Sequence, residues 1–136
     1  MSVDILNKTR TRINTKLVQR VSEAFLKKYK KNKLDLSIVF VGDRKIRKIN
    51  NLYRRYDKVT DILSFEGEDD SFGELIIDYA QIKRQASRFG NSTKDELIFI
   101  LVHGLFHLLG YNDETEKEEL KMIKLGEDFI KKMKIW

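Results

Sequence analysis

Apolar residues recur at helical spacing through residues 13–31, where Ile13, Leu17, Val21, Ala24 and Phe25 share one side. A period near 3.6 predicts an amphipathic helix. Residues 34–41 (Leu-Asp-Leu-Ser-Ile-Val-Phe-Val) alternate and then become wholly apolar, predicting a strand that Gly42 and Asp43 end. Ile46, Ile49, Leu52, Tyr53 and Tyr56 place a second helix over residues 44–56, with a basic outer face and both tyrosines toward the core. Residues 60–65 and 73–78 are strand-like, and the acidic stretch from Glu66 to Ser71 between them reads as a surface loop. Residues 79–89 predict a short helix stopped by Gly90 and Asn91. Thr93 and Glu96 stand at capping-box spacing and open the most apolar stretch of the chain, Leu97 to Leu109. A helix apolar nearly all round belongs in the centre of a fold. Thr115 and Glu118 repeat the capping-box spacing ahead of a last amphipathic helix with Leu120, Ile123, Phe129 and Ile130. Residues 2–7 suit a further strand.

The order of elements predicts an α+β fold. A small mixed β-sheet of three or four strands packs with about five helices around a central buried helix. No repeat, low-complexity tract or linker breaks the chain and proline is absent, so residues 1–136 read as one domain.

Composition narrows the chemistry. Hydrophobic residues make up 41% of the chain, enough for a core, and charged residues 35%. The absence of cysteine excludes disulfides, thiolate metal sites and cysteine nucleophiles, and fits a reducing compartment. No apolar run approaches the ~20 residues of a membrane span. The first residues, Met-Ser-Val-Asp-Ile-Leu-Asn-Lys, lack the order of a signal peptide. The expectation is a soluble cytoplasmic protein with no membrane partner.

The net charge of +6 conceals a polarity. Residues 1–60 hold 17 Lys and Arg against 5 Asp and Glu, a balance of +12, whereas residues 61–136 hold 10 against 16, a balance of −6. A basic half can attract a polyanion through counterion release. The lysine-rich run from Lys27 to Lys33 alone says little more than solvated surface.

Both histidines fall in one window, His103-Gly-Leu-Phe-His107-Leu-Leu-Gly110-Tyr-Asn-Asp113. Four residues apart on a helix, two imidazoles point from the same face. Gly110 can end the helix in a left-handed turn, and Asp113 can bring a carboxylate back to the same point. Three protein ligands with one open position is the arrangement of a catalytic metal. Imidazole with carboxylate suits one Zn²⁺ per chain, with Ni²⁺, Co²⁺ or Fe²⁺ as substitutes. The spacing resembles the long zinc signature of the metzincin proteases. Those proteases carry a Glu after the first histidine as general base; here that position is Gly104, which turns the reading away from peptide hydrolysis.

The window resembles the signature of the YbeY family of bacterial rRNA maturation factors, His-Gly-x-Leu-His-Leu-x-Gly-Tyr-Asp-His. Two further stretches are similar to motifs of that family. One runs from Tyr53 and Arg54 to Phe65 and Glu66, against Tyr-Arg followed by Asp-Lys-Pro-Thr-Asp-Val-Leu-Ser-Phe-Pro; the other is Phe72-Gly73-Glu74-Leu75, against Leu-Gly-Asp-Ile. The match covers about residues 35–115. It departs where the family keeps a third histidine: this chain has Asp113, with Asn112 before it, Glu114 after it, and both prolines of the second motif missing.

The resemblance implies a single-strand-specific, metal-dependent endoribonuclease acting in rRNA maturation at the small-subunit 3′ end and in ribosome quality control. His103, His107 and Asp113 would hold the metal. Arg54 would act with His103 and His107 in catalysis, facing the metal cleft to hold a phosphate bidentately. Arg44, Lys45, Arg47, Lys48, Arg55 and Lys58 would contact the RNA backbone. Tyr53 or Tyr56 can stack on an unpaired base. Implied partners are single-stranded rRNA, the small ribosomal subunit with its platform protein, and an assembly GTPase. The rival reading is a ribosome-assembly factor with a structural metal and little nuclease activity. The general base is unassigned among metal-activated water, Glu114 and the RNA 2′-OH.

Overall fold

A computed structural model describes residues 2–133. Its strands are β1 (Val3–Asn7), β2 (Asp35–Val41), β3 (Ile62–Glu66) and β4 (Ser71–Asp78). Its helices are α1 (Thr15–Lys28), α2 (Asp43–Arg54), α3 (Tyr79–Phe89), α4 (Thr93–Leu108) and α5 (Glu116–Met133). The sheet order is β1-β2-β4-β3, with β2 parallel to both β1 and β4, and β3 antiparallel to β4. The architecture is the expected α+β class, and the suspected strand near the N-terminus is the edge strand β1.

Alternation along the strands divides the interior in two. Leu36, Ile38 and Phe40 of β2 join Leu75 and Ile77 of β4 in the main core with α1 and α4. Val41, Leu63 and Ile76 face the other way and meet Ile46 of α2. Helix α4 is the centre of the main core, with ten of its 16 residues buried, so it has no free side to slide on. Phe106 on it meets Phe25 of α1 edge-on at 5.0 Å, and Phe25 meets Phe129 of α5 at 5.3 Å. Truncating a buried Phe in such a cluster costs about 3–5 kcal/mol.

Several boundaries differ from the sequence pattern for local reasons. Asn14 caps α1 by accepting from the Leu17 N–H at 3.1 Å, so the buried Ile13 precedes the helix. Helix α2 stops at Arg54 because Arg55 takes the left-handed conformation at φ 61°, which leaves Tyr56 outside it. The expected capping box at Thr93 is instead a cap by Ser92, whose hydroxyl accepts from the Asp95 N–H at 3.0 Å. Glu96 turns inward and accepts from Gln85 and Asn91. The second capping box is present in full: Thr115 and Glu118 each accept from the other's N–H, at 3.1 Å.

Two features of this packing carry measurable consequences. Gly73 of β4 has φ +148°, and a Cβ there would stand 2.6 Å from the Phe65 carbonyl oxygen and 2.7 Å from Leu108 Cδ2. The family-like motif therefore has a backbone reason for its glycine. Gly73→Ala should destabilise the fold by roughly 1–3 kcal/mol, read as a shift in the denaturant midpoint at constant slope.

Asp78 caps α3 by accepting from the Gln81 N–H at 3.3 Å and is fully buried. Burial, then the neighbouring Asp43, pushes its carboxyl up to about 7. Asp43 stays ionised, held below the ordinary carboxylate range chiefly by a 2.8 Å hydrogen bond from Arg84. An unfolded Asp ionises near 4, so the folded state keeps a proton that the unfolded state has lost. Stability should fall as pH rises from about 4 to about 7. Asp78→Asn keeps a capping acceptor and cannot ionise. Its melting temperature relative to wild type should rise from about pH 5 to about pH 8; a constant difference would refute the assignment.

Candidate functional site

The site begins where α4 ends. Gly110 has φ +111°, a backbone conformation that suits glycine. Its N–H donates to the His107 carbonyl at 3.0 Å, and the Tyr111 N–H donates to the Phe106 carbonyl at 3.1 Å. That pair of bonds is the Schellman closure of a helix C-terminus. The accompanying apolar contact is the edge-on packing of Tyr111 against Phe106, with ring centroids 5.6 Å apart. The aromatic cluster of the core thus anchors the turn that sends the chain back toward the histidines.

The returning segment brings Asp113 over both imidazoles. Its Oδ2 lies 3.2 Å from His103 Nε2 and 3.3 Å from His107 Nε2. One donor atom from each of the three residues falls within 4.8 Å of the others, and all three residues are half-buried. His107 Nδ1 lies 3.0 Å from the Tyr111 carbonyl. Donation of the Nδ1–H to that carbonyl orients the ring and leaves the Nε2 lone pair free for a cation. Phe99, one turn earlier, stacks on His103. Burial raises the Asp113 carboxyl, but the hydrogen bond from His103 and the charge of both imidazoles outweigh it and hold the group below the ordinary carboxylate range. Two nitrogens and one ionised oxygen, oriented by a further shell of contacts, fit a borderline cation such as zinc.

These residues line a cleft of about 740 Å³. Tyr53 and Arg54 reach it from the end of α2, Phe65 and Glu66 from β3, and Glu119 and Ile123 from α5. Arg54 therefore opens onto the same cleft as His103, His107 and Asp113. Its position is set by a pinned loop: Arg47 donates to both oxygens of Asp57 at 2.8 and 3.3 Å, and the Asn50 amide donates to the Lys58 carbonyl at 3.0 Å. Arg44, Lys45, Arg47, Lys48, Arg55 and Lys58 do not line the cleft. The first four are on α2, which packs on the sheet face opposite α4.

Some cleft residues were not legible in the sequence. Glu66 and Glu119 line it, whereas the exposed Glu114 does not. The reciprocal cap at Thr115 and Glu118 sets the phase of α5 so that Glu119 and Ile123, one turn apart, share the cleft side. Tyr53 and Tyr56, expected in the core, stand largely in water. Gly104 faces β3 and β4, where a Cβ would lie 2.5 Å from Ile62 Cδ1 and 3.1 Å from Leu75 Cδ2. Glycine at this position lets α4 approach the sheet, and a protease-type Glu has no open space there.

The family model described as Endoribonuclease YbeY matches residues 4–134 of the chain. The chain is 40% identical over 115 residues to the Endoribonuclease YbeY of Acholeplasma laidlawii, covering 82% of this chain and 83% of that protein. It is 34% identical over 143 residues to the Endoribonuclease YbeY of Phytoplasma australiense, covering 99% and 97% respectively. The solution structure of TM1509 from Thermotoga maritima is similar in fold, with a TM-score of 0.69 over 96% of this chain and 88% of that one, at 24% identity.

The turn and helix that carry the ligands are closed by their own hydrogen bonds and packing. Removing the metal should therefore leave the fold largely intact. In EDTA the cooperative thermal transition should persist, and His103→Ala or Asp113→Ala should abolish stoichiometric zinc uptake in titration calorimetry. Loss of the folded transition in EDTA would mark the metal as structural instead.

Proposed function

The chain belongs to the YbeY endoribonuclease family, and on that premise we propose that it is a metal-dependent endoribonuclease, specific for single-stranded RNA, in rRNA maturation. The small-subunit rRNA 3′ end and ribosome quality control are its proposed setting. The observation that carries the reading is Arg54 opening onto the same cleft as His103, His107 and Asp113.

Zinc is the proposed cofactor, one per chain, held by those three residues. When bound it supplies Lewis acidity toward a phosphoryl oxygen and lowers the pKa of water. The protein's own part is positional and electrostatic. Arg54 presents a planar fork that matches two phosphate oxygens. It offsets the charge that grows on the phosphorus oxygens during cleavage. The Arg47–Asp57 pair and the Asn50 contact hold the loop that follows it against the end of α2. Phe99 and Ile123 give the cleft apolar walls, which strengthen the pull of Arg54 on a phosphate.

Arg55 and Lys58, on the pinned loop beside Arg54, are proposed to contact the RNA backbone next to the cleft. Arg44, Lys45, Arg47 and Lys48 would act farther along it. The small ribosomal subunit with its platform protein and an assembly GTPase are proposed as partners, on the family resemblance. A cytoplasmic location is proposed along with the ribosomal substrate. Among the described residues no helix is long and apolar enough to cross a membrane.

Arg54→Ala should lower kcat/KM on single-stranded RNA by about 10²–10³ with zinc content unchanged. Arg54→Lys should recover only part of it, because a point charge does not replace a fork. Unchanged cleavage in highly purified Arg54→Ala or His103→Ala protein would remove the endoribonuclease assignment.

A further inference from the structure

The metal ligands and Arg54 leave unexplained two aromatic rings that stand in water beside them. Tyr53 is 65% exposed and Tyr56 is 52% exposed. Packing does not account for rings so placed, since apolar surface left in water contributes no burial. The two are not equivalent. The Arg54 guanidinium lies 5.2 Å and the Lys58 ammonium 5.4 Å from the centroid of the Tyr56 ring. Tyr56 is thus engaged by two cations, one of them Arg54. Tyr53 meets Phe65 instead, with centroids 5.2 Å apart and planes inclined at 70°, and both of these rings line the metal cleft.

We infer that Tyr53, backed by Phe65, seats one unpaired base of the RNA next to the phosphate held by Arg54, and so positions a single strand for cleavage. The inference rests on the endoribonuclease reading and adds to it the means by which the cleft selects single strands. Two steeply inclined rings form a corner in which a flat base can stack on one and meet the other edge-on, the two favoured aromatic geometries. Only an unpaired base has a face to offer, because bases in a duplex are stacked on their neighbours. Stacking on tyrosine is tolerant of base identity, which suits a cleft whose selectivity is for strandedness. Residues 53 and 54 are adjacent in the last turn of α2, so one turn of helix would hold both a base and a phosphate. An apolar side chain of a partner protein is the competing occupant.

The test uses the full chain, its Tyr53→Ala and Tyr53→Phe variants, and short single-stranded RNAs carrying 2-aminopurine at successive positions. Fluorescence quenching reports stacking, anisotropy reports binding, and metal-loaded enzyme reports cleavage. Tyr53→Ala should weaken binding and lower kcat/KM by about 5- to 150-fold, mostly through KM, and should lose the quench. Its melting temperature and zinc content should match wild type, because the ring is exposed. Tyr53→Phe keeps the ring and should restore both binding and quench. Binding and quenching that survive Tyr53→Ala overturn the inference, as does full binding with no quench at any position. If wild type cleaves RNA in those cases, only the base seat is lost. If wild type neither binds nor cleaves RNA, the endoribonuclease reading fails and the base seat fails with it.

Discussion

The burial of α4 is the constraint from which the rest of the site follows. A helix packed on nearly every side can neither rotate nor slide without opening voids in the core. His103 and His107 inherit that rigidity, although both lie where the helix approaches the surface. Phe106 serves both purposes: it packs on Phe25 within the core and holds Tyr111 of the turn beyond the helix. The carbonyl of that same Tyr111 then accepts from His107. Core packing, helix closure and ligand orientation share the same few side chains, so the donor atoms converge without help from a long loop. Gly104 and Gly73 let the parts approach closely, one on the helix side and one on the sheet side.

Charge in this molecule acts at two ranges. Ten of the 17 cations in residues 1–60 precede β2, on and around the edge strand β1 and helix α1. The cleft lies at the other edge of the sheet, beside β3. Those cations can raise the local concentration of a polyanion, and such steering weakens with salt. They do not line the cleft. Within the cleft the balance is different: Arg54 shares its lining with Asp113, Glu66 and Glu119. A single guanidinium among carboxylates makes a narrower demand on an anion than a broad basic surface does.

Local signals in the chain were read with success where the controlling interaction is local. The reciprocal cap of Thr115 and Glu118, the stop at Gly90 and the turn at Gly110 each involve residues within five positions of one another. The pattern departs from the structure where a competing partner or turn decides the outcome. Glu96 has the spacing of a capping residue, but Gln85 and Asn91 draw it inward. Tyr53 and Tyr56 have the spacing of core residues, but the left-handed turn at Arg55 leaves Tyr56 outside the helix, and Tyr53 on its last turn meets Phe65 at the cleft. The apolar period of α2 stays the same while its last positions lose the surface they would have packed on.

The sequence by itself determined the fold class, the central helix and the convergence of His103, His107 and Asp113. Helical spacing places two imidazoles on one face, a glycine reverses the chain, and three residues later a carboxylate follows, all within eleven positions. The family resemblance added Arg54 and the class of substrate. Only the tertiary structure decided which other groups share the cleft, since Tyr53, Phe65 and Glu119 come from three elements with no periodic relation to one another. It also decided that Gly104 faces the sheet, and that most of the basic half lies away from the cleft. The reason is range. Caps, turns and ligand spacing are set by bonds between near neighbours, whereas exposure, convergence and field depend on how separate elements stack, which no short stretch of sequence encodes.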